Sequence, residues 1–200
     1  MADDELAALR AVLDGHRRRG YLGTVSTEAA LEHSQLVADV FPTGARVLDL
    51  GSGGGLPGLV LAVARPDLHV ELLDLRERRT DALRQAVGRL QLQDRVTVRT
   101  GDISRLASTT YADAFDGMTA RAFGPLPQVL RWGRLVVRVG GLVAVSCPPE
   151  LDVANVEVPD GLVWLRTIGP WSIWCRATPH WMMFHVKPRP EGRVTPREER

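Results

Sequence analysis

The chain has 200 residues, 44% hydrophobic and 24% charged, with a formal net charge of +1, a composition ordinary for a globular protein with one sizeable core. So small a net charge excludes a uniformly basic surface, leaving any nucleic-acid binding to local clusters of arginine. Two distant cysteines, Cys147 and Cys175, are too few for a zinc ligand set or a disulfide framework, and no apolar run reaches the roughly 18 residues of a membrane span, so the expectation is a cytoplasmic protein with no metal and no membrane attachment.

Residues 3 to 19 carry Leu6, Leu9, Val12 and Leu13 at helical spacing and end in HRRRG, with positive charge at the negative end of the helix dipole. A second helix is expected in GTVSTEAALEHSQLVADVFP, with Ser26 or Thr27 as N-cap and Pro42 as its stop. From residue 46 short apolar runs alternate with helical stretches. RVLDL and HVELLDL predict buried strands with the helix PGLVLAVARP between them, and RRTDALRQAVGRLQ predicts the next helix. RVTVRTGD and FDGMTARAF follow as strands, LPQVLRWGRLV as a helix, and GGLVAVSC as a glycine turn entering a further strand. Strands and helices alternating at this spacing predict a parallel sheet covered on both faces. The later apolar stretches LVWLRTIGPWSIWC and HWMMFHVKP, with no helix between them, predict an antiparallel pair closing the sheet. The organisation expected is a helical extension over 1–42, an α/β domain over 43–188 and a mobile tail over 189–200.

Asp49, Gly51, Gly53, Gly54, Gly55 and Gly58 lie between the first strand and its helix. In an open parallel sheet this is the carboxyl edge, where ligands bind. Gly53, Gly55 and Gly58 match the spacing G-x-G-x-x-G, by itself a weak sign of a dinucleotide. Asp49 weighs against pyrophosphate, because a carboxylate two residues before the first glycine repels phosphate but can bind an ammonium group directly or through water. Asp74 is placed to hold ribose hydroxyls, and Asp102 to accept from an adenine amine. Three acids at the ends of successive strands fit S-adenosylmethionine better than NAD. A purely structural loop, and for Asp102 a simple turn-forming role, are the competing readings.

The stretch VLDLGSGGGLPGLVLAVARPDLHVELLDLRERR resembles the signature of the RsmG (GidB) methyltransferases, with Leu56-Pro57-Gly58 as its specific part. FDGMTARAF, containing Arg121-Ala122-Phe123, and RVGGLVAVSC resemble that family's later segments, so the likeness covers roughly residues 44 to 147. The family's Lys-Lys pair is Arg78-Arg79 here, its His-x-x-Asp-Ser motif is reduced to His33, and its Gly-Arg-Ala-Glu is Gly101-Asp102-Ile103-Ser104. The resemblance implies a class I, Rossmann-like fold with a mostly parallel seven-stranded sheet, helices on both faces and an antiparallel C-terminal strand pair. It implies methyl transfer from S-adenosylmethionine to N7 of a guanine in small-subunit ribosomal RNA, with the RNA or the small ribosomal subunit as partner. Its cofactor site maps to Asp49, Gly51, Ser52, Gly53, Gly55, Leu56, Pro57, Asp74, Leu75, Asp102, Ile103 and Arg121, and its substrate contacts to Arg121, Arg78, Arg79 and His33. Guanine N7 has a free lone pair and no proton, so no catalytic base is expected.

Some of these residues have plainer alternatives. Arg17, Arg18 and Arg19 can meet phosphates or form a solvated helix end, and Arg76, Arg78 and Arg79 are better placed for phosphates. Trp164, Trp171, Trp174 and Trp181 can stack bases or, at strand spacing, belong to the core or an interface. A small-molecule methyltransferase and a non-catalytic S-adenosylmethionine-binding protein are the rival functions.

Overall fold

The computed structural model describes residues 3–24 and 26–178. Its elements in chain order are α1 (Asp3–Arg18), α2 (Thr27–Gln35), β1 (Arg46–Leu50), α3 (Gly58–Ala64), β2 (His69–Asp74), α4 (Glu77–Arg89), β3 (Val96–Thr100), α5 (Ile103–Leu106), β4 (Phe115–Arg121), α6 (Leu126–Val136), β5 (Val137–Ser146), β6 (Leu162–Ile168) and β7 (Trp171–Arg176). The seven strands form one sheet in the order β3-β2-β1-β4-β5-β7-β6. β1 to β5 are parallel, and β7 runs antiparallel to both β5 and β6. The order reverses beside β1, which places a crevice at the carboxyl ends of β1 and β4.

Side chains alternate across the sheet with period two. Val47, Val70, Leu72 and Ile173 join Leu9, Leu13, Leu31, Leu59 and Leu83 in a core under α1 to α4. Leu48, Leu50, Leu73, Met118 and Val143 face the other way, into a core with Leu130 and Val136 of α6. The helices at the amino end are therefore packed into the same core as the glycine turn's helix, α3. Across the second face Glu71 of β2 is buried and accepts from Arg46 Nη2 at 2.8 Å, from Arg99 Nε at 2.9 Å and from the Tyr111 hydroxyl, tying β1, β2 and β3 to the segment before β4.

Three local expectations need correction. α2 starts as expected, with the Ser26 hydroxyl accepting from Ala29 N at 3.2 Å, but it ends at Gln35 and a 3₁₀ turn at Ala38–Val40 carries the chain to Pro42. The glycine pair 140–141 is not a turn into a strand: β5 begins at Val137, directly after α6, and the pair lies within it opposite an irregularity between Phe115 and Gly117. The closing antiparallel pair is a hairpin inside LVWLRTIGPWSIWC, whereas HWMMFHVKP, Trp181 and the tail over 189–200 lie outside the described residues. Trp171 and Trp174 are fully buried, as core residues, and Trp164 is partly exposed on the edge strand β6. No helix among the described residues is long and apolar enough to cross a membrane.

Candidate active site

Between β1 and α3 the chain doubles back through Gly51, Gly53 and Gly55, whose φ angles are +73°, +56° and +97°, a backbone region that glycine adopts without strain. The turn is held from within. The amides of Gly51 and Ser52 donate to the Leu73 carbonyl at 2.9 and 3.0 Å, and that of Gly55 donates to the Ser52 carbonyl at 2.7 Å. Gly53 N donates to Asp74 Oδ2 at 2.9 Å, and Gly58 N, at the start of α3, to Asp49 Oδ2 at 3.1 Å. A pyrophosphate in a dinucleotide fold is bound by such amides and by the free amino end of the helix. Here the amides of Gly51, Ser52, Gly53, Gly55 and Gly58 are already paired, two of them with carboxylates.

Asp49 is fully buried beneath the turn. Its Oδ1 accepts from Thr119 Oγ1 of β4 at 3.1 Å, and its main-chain carbonyl accepts from Ser52 Oγ at 2.8 Å. Burial pushes the carboxyl up to about 6, against the opposing pull of its hydrogen bonds and of the Arg121 charge. A direct contact with a ligand's ammonium group is therefore not what this geometry offers; Asp49 holds the turn and the first residue of α3, and its charge acts from below. Ser52, Leu56 and Pro57 are likewise buried, so their side chains pack the turn; the Leu56–Pro57 peptide bond is cis.

Asp74, at the end of β2, receives Arg76 N on Oδ1 at 2.9 Å in addition to Gly53 N, and Arg79 Nη1 lies 3.5 Å from Oδ2. Leu75 beside it is 68% exposed, an apolar side chain left facing solvent at the sheet edge. Asp102 caps the short α5, accepting from Ser104 N at 2.9 Å, which holds its carboxyl below the ordinary range. Ile103 is buried in the second core.

On the other side of Asp49 stand Arg121 and His33. Arg121 pairs in register with Ser146 of β5. Its guanidinium is half-buried, and burial pulls its pKa down while Asp49 opposes the shift. His33 Nε2 is 3.0 Å from Ser146 Oγ, its carbonyl accepts from Trp171 Nε1 at 2.7 Å, and its ring meets Trp171 edge-on. Burial and the nearby Arg121 charge lower its pKa. After Arg121 the chain passes through Ala122 at a φ of +50° and lays the Phe123 ring over Gly51, where any β-carbon would collide with it. The structure thus brings Asp49, Arg121 and His33 to one edge and sets Asp74, Leu75, Arg78 and Arg79 along the adjoining β2 end.

Four contributors were not singled out by the sequence. Thr119 and Ser146 are single hydroxyls in apolar strands, visible as polar breaks but without a partner until the strands pair. His16 continues the apolar stripe of α1, is buried, and has Nδ1 2.9 Å from the Gly54 carbonyl. Tyr21 lies edge-on to His16, and its carbonyl borders the positions of Gly53 and Gly54.

Known proteins share this fold. An O-methyltransferase from Bacillus cereus, solved in complex with SAH, superposes with a TM-score of 0.58 over 86% of this chain and 91% of its own, at 18% identity, which supports the fold. Ribosomal RNA small subunit methyltransferase G of Thermobifida fusca is 44% identical over 135 residues, covering 66% of this chain and 55% of the relative. The Salinispora tropica protein of the same name is 48% identical over 114 residues, 55% of this chain and 47% of the relative. The chain spans about half the length of these curated relatives. The GidB family, described as rRNA small subunit methyltransferase G, matches residues 27–146, from α2 through the glycine turn to the last residue of β5, and the chain belongs to that family.

Proposed function

We propose that this chain is an S-adenosylmethionine-dependent methyltransferase that modifies N7 of a guanine in small-subunit ribosomal RNA. The observation that carries this reading is the pairing of the Gly51, Ser52, Gly53, Gly55 and Gly58 amides with Leu73, Ser52, Asp74 and Asp49, which sets two carboxylates where a phosphate-binding turn presents free amides. A nucleoside with a cationic end and no phosphate suits such a surface. The family match and the relatives named for ribosomal RNA support the acceptor.

The residues present fit this cofactor. Both Asp74 oxygens already accept from main-chain amides and keep further lone pairs for ribose hydroxyls. Leu75 offers an apolar surface to the adenine beside Asp102 and Ile103, and the buried charge of Asp49 attracts the ammonium group of the amino-acid end through the turn. Gly53 lets the nucleoside approach the main chain, Gly51 makes room for the Phe123 ring and Gly55 for Leu59, and Ser52, Leu56 and Pro57 hold the turn's shape. When bound, the cofactor supplies a methyl group on an electrophilic sulfonium. The chain's task is then to orient the guanine so that N7 lies within about 3–3.5 Å of that methyl, in line, and to exclude water. Arg121 is the residue to fork onto guanine O6 or an adjacent phosphate. His33 and Ser146 fix the edge beside it, and Arg78 and Arg79 meet the RNA backbone. With no proton to remove from N7, neither His33 nor Asp49 acts as a base.

Titration calorimetry is expected to show S-adenosylmethionine binding that weakens about ten-fold or more in Asp74→Ala, the loss of a charged hydrogen-bond acceptor. Mass spectrometry of small-subunit RNA from cells lacking the gene is expected to show one missing 7-methylguanosine, restored by the wild-type chain. Unchanged RNA alongside intact cofactor binding would overturn the acceptor and favour a small molecule.

A further inference from the structure

Two arginine-bearing segments that are distant in sequence face each other beside the glycine turn. Arg19, Gly20 and Tyr21 leave the end of α1, and Arg76, Glu77, Arg78 and Arg79 open α4; together they line a cleft of about 510 Å³. Both walls are anchored. Gly20 N and Tyr21 N donate to the Arg17 and His16 carbonyls at 2.9 and 3.0 Å, closing α1 tightly, and His16 is tied to the Gly54 carbonyl. Opposite, Asp74 holds Arg76 N and faces Arg79, which fixes the first turn of α4.

The cleft sets four guanidinium groups against the single carboxylate of Glu77, in a chain whose net charge is only +1. Among the described residues Arg19, Arg76 and Arg78 form no ion pair. Arg79 is already paired with Asp74, so Arg19, Arg76 and Arg78 face one remaining carboxylate, Glu77; the excess positive charge is self-repelling, and the positive amino end of α4 adds to the same field. Such a cleft is stabilised by an anion. It adjoins the glycine turn: a β-carbon at Gly53 would lie 3.8 Å from Arg79 Nη1 and 3.6 Å from the Tyr21 carbonyl. The exposure of Arg19, Arg76 and Arg78 leaves the cleft open to solvent, so a continuous strand can pass through it, and the half-buried Tyr21 supplies an aromatic wall.

We propose that this cleft binds the phosphodiester backbone of the RNA substrate next to the methyl-transfer site, with Arg19 and Arg78 as its principal contacts. This rests on the RNA reading above. The test compares binding of protein-free small-subunit RNA by the wild-type chain, by Arg19→Ala/Arg78→Ala and by Arg19→Lys/Arg78→Lys, between about 50 and 300 mM salt. Removing one arginine–phosphate ion pair should reduce the slope of log K against log salt by about one. The alanine pair is expected to lower the slope by about two and to weaken low-salt binding at least about ten-fold. The lysine pair should keep the slope, and S-adenosylmethionine binding and melting temperature should match the wild type in both. An unchanged slope in the alanine pair, with the wild type binding RNA, overturns the cleft and leaves the function standing. No salt-dependent RNA binding by the wild type overturns both.

Discussion

Asp49 lies in β1 between Leu48 and Leu50, which face α6, so its own side chain is turned toward α3 and into the core. The residue type was legible as an acid next to the glycine turn; its complete burial was not, because depth below a turn depends on what the turn folds over. The consequence is a specific pH dependence. In the unfolded chain Asp49 titrates near 3.8, and in the folded chain at about 6. Below pH about 4 both forms are protonated and burial costs little; as pH rises toward about 6 the unfolded chain releases its proton first, so this group's contribution falls, and above about 6 the loss is constant. Asp49→Asn keeps the acceptor for Gly58 N and removes the ionisation. Its melting temperature is expected to match the wild type below about pH 4 and exceed it by a few degrees, roughly 3–6 °C, above about pH 6. A difference independent of pH would show that Asp49 is not the titrating group.

At the level of elements, the glycine turn is a junction between β1, α3, β2 and α1. Its contacts with β2 run through Leu73 and Asp74, and the contact with α1 runs through His16 and Gly54. His16→Leu keeps an apolar body in that place and removes the hydrogen bond. Losing a bond of this kind costs about 1 kcal/mol, so S-adenosylmethionine affinity is expected to fall about five-fold in calorimetry while the fold persists; unchanged affinity would confine His16 to packing. Long periodic elements such as α1, α4 and α6 were legible from apolar spacing alone. α5 has only four residues, too few to show a period. Gly140 reads locally as a turn, yet with a φ of +83° it sits inside a strand, because β4 supplies pairing partners on both sides of it.

For the whole molecule, the sheet separates two cores, and the first draws on α1, α2, α3 and α4 together. Leu13 of α1 is completely buried there. Leu13→Ala is expected to cost about 3 kcal/mol within a single cooperative unfolding transition followed by denaturant. Wild-type stability in this variant would mean that α1 is a detachable appendage and not part of the folding unit.

Sequence alone was sufficient for the α/β alternation, the position of the glycine turn at a strand exit and the acids Asp49, Asp74 and Asp102 at successive strand ends, since each depends on local periodicity and spacing. Only the tertiary structure decided that the Gly53 and Gly58 amides are held by Asp74 and Asp49, that Asp102 caps a helix, that His33 meets Ser146 across 113 residues of chain, and that Arg19 faces Arg76, Arg78 and Arg79 across one cleft. Those facts depend on which partner each polar group meets when distant segments pack, and hydrogen bonds and charge clusters are made between partners that the local sequence does not contain.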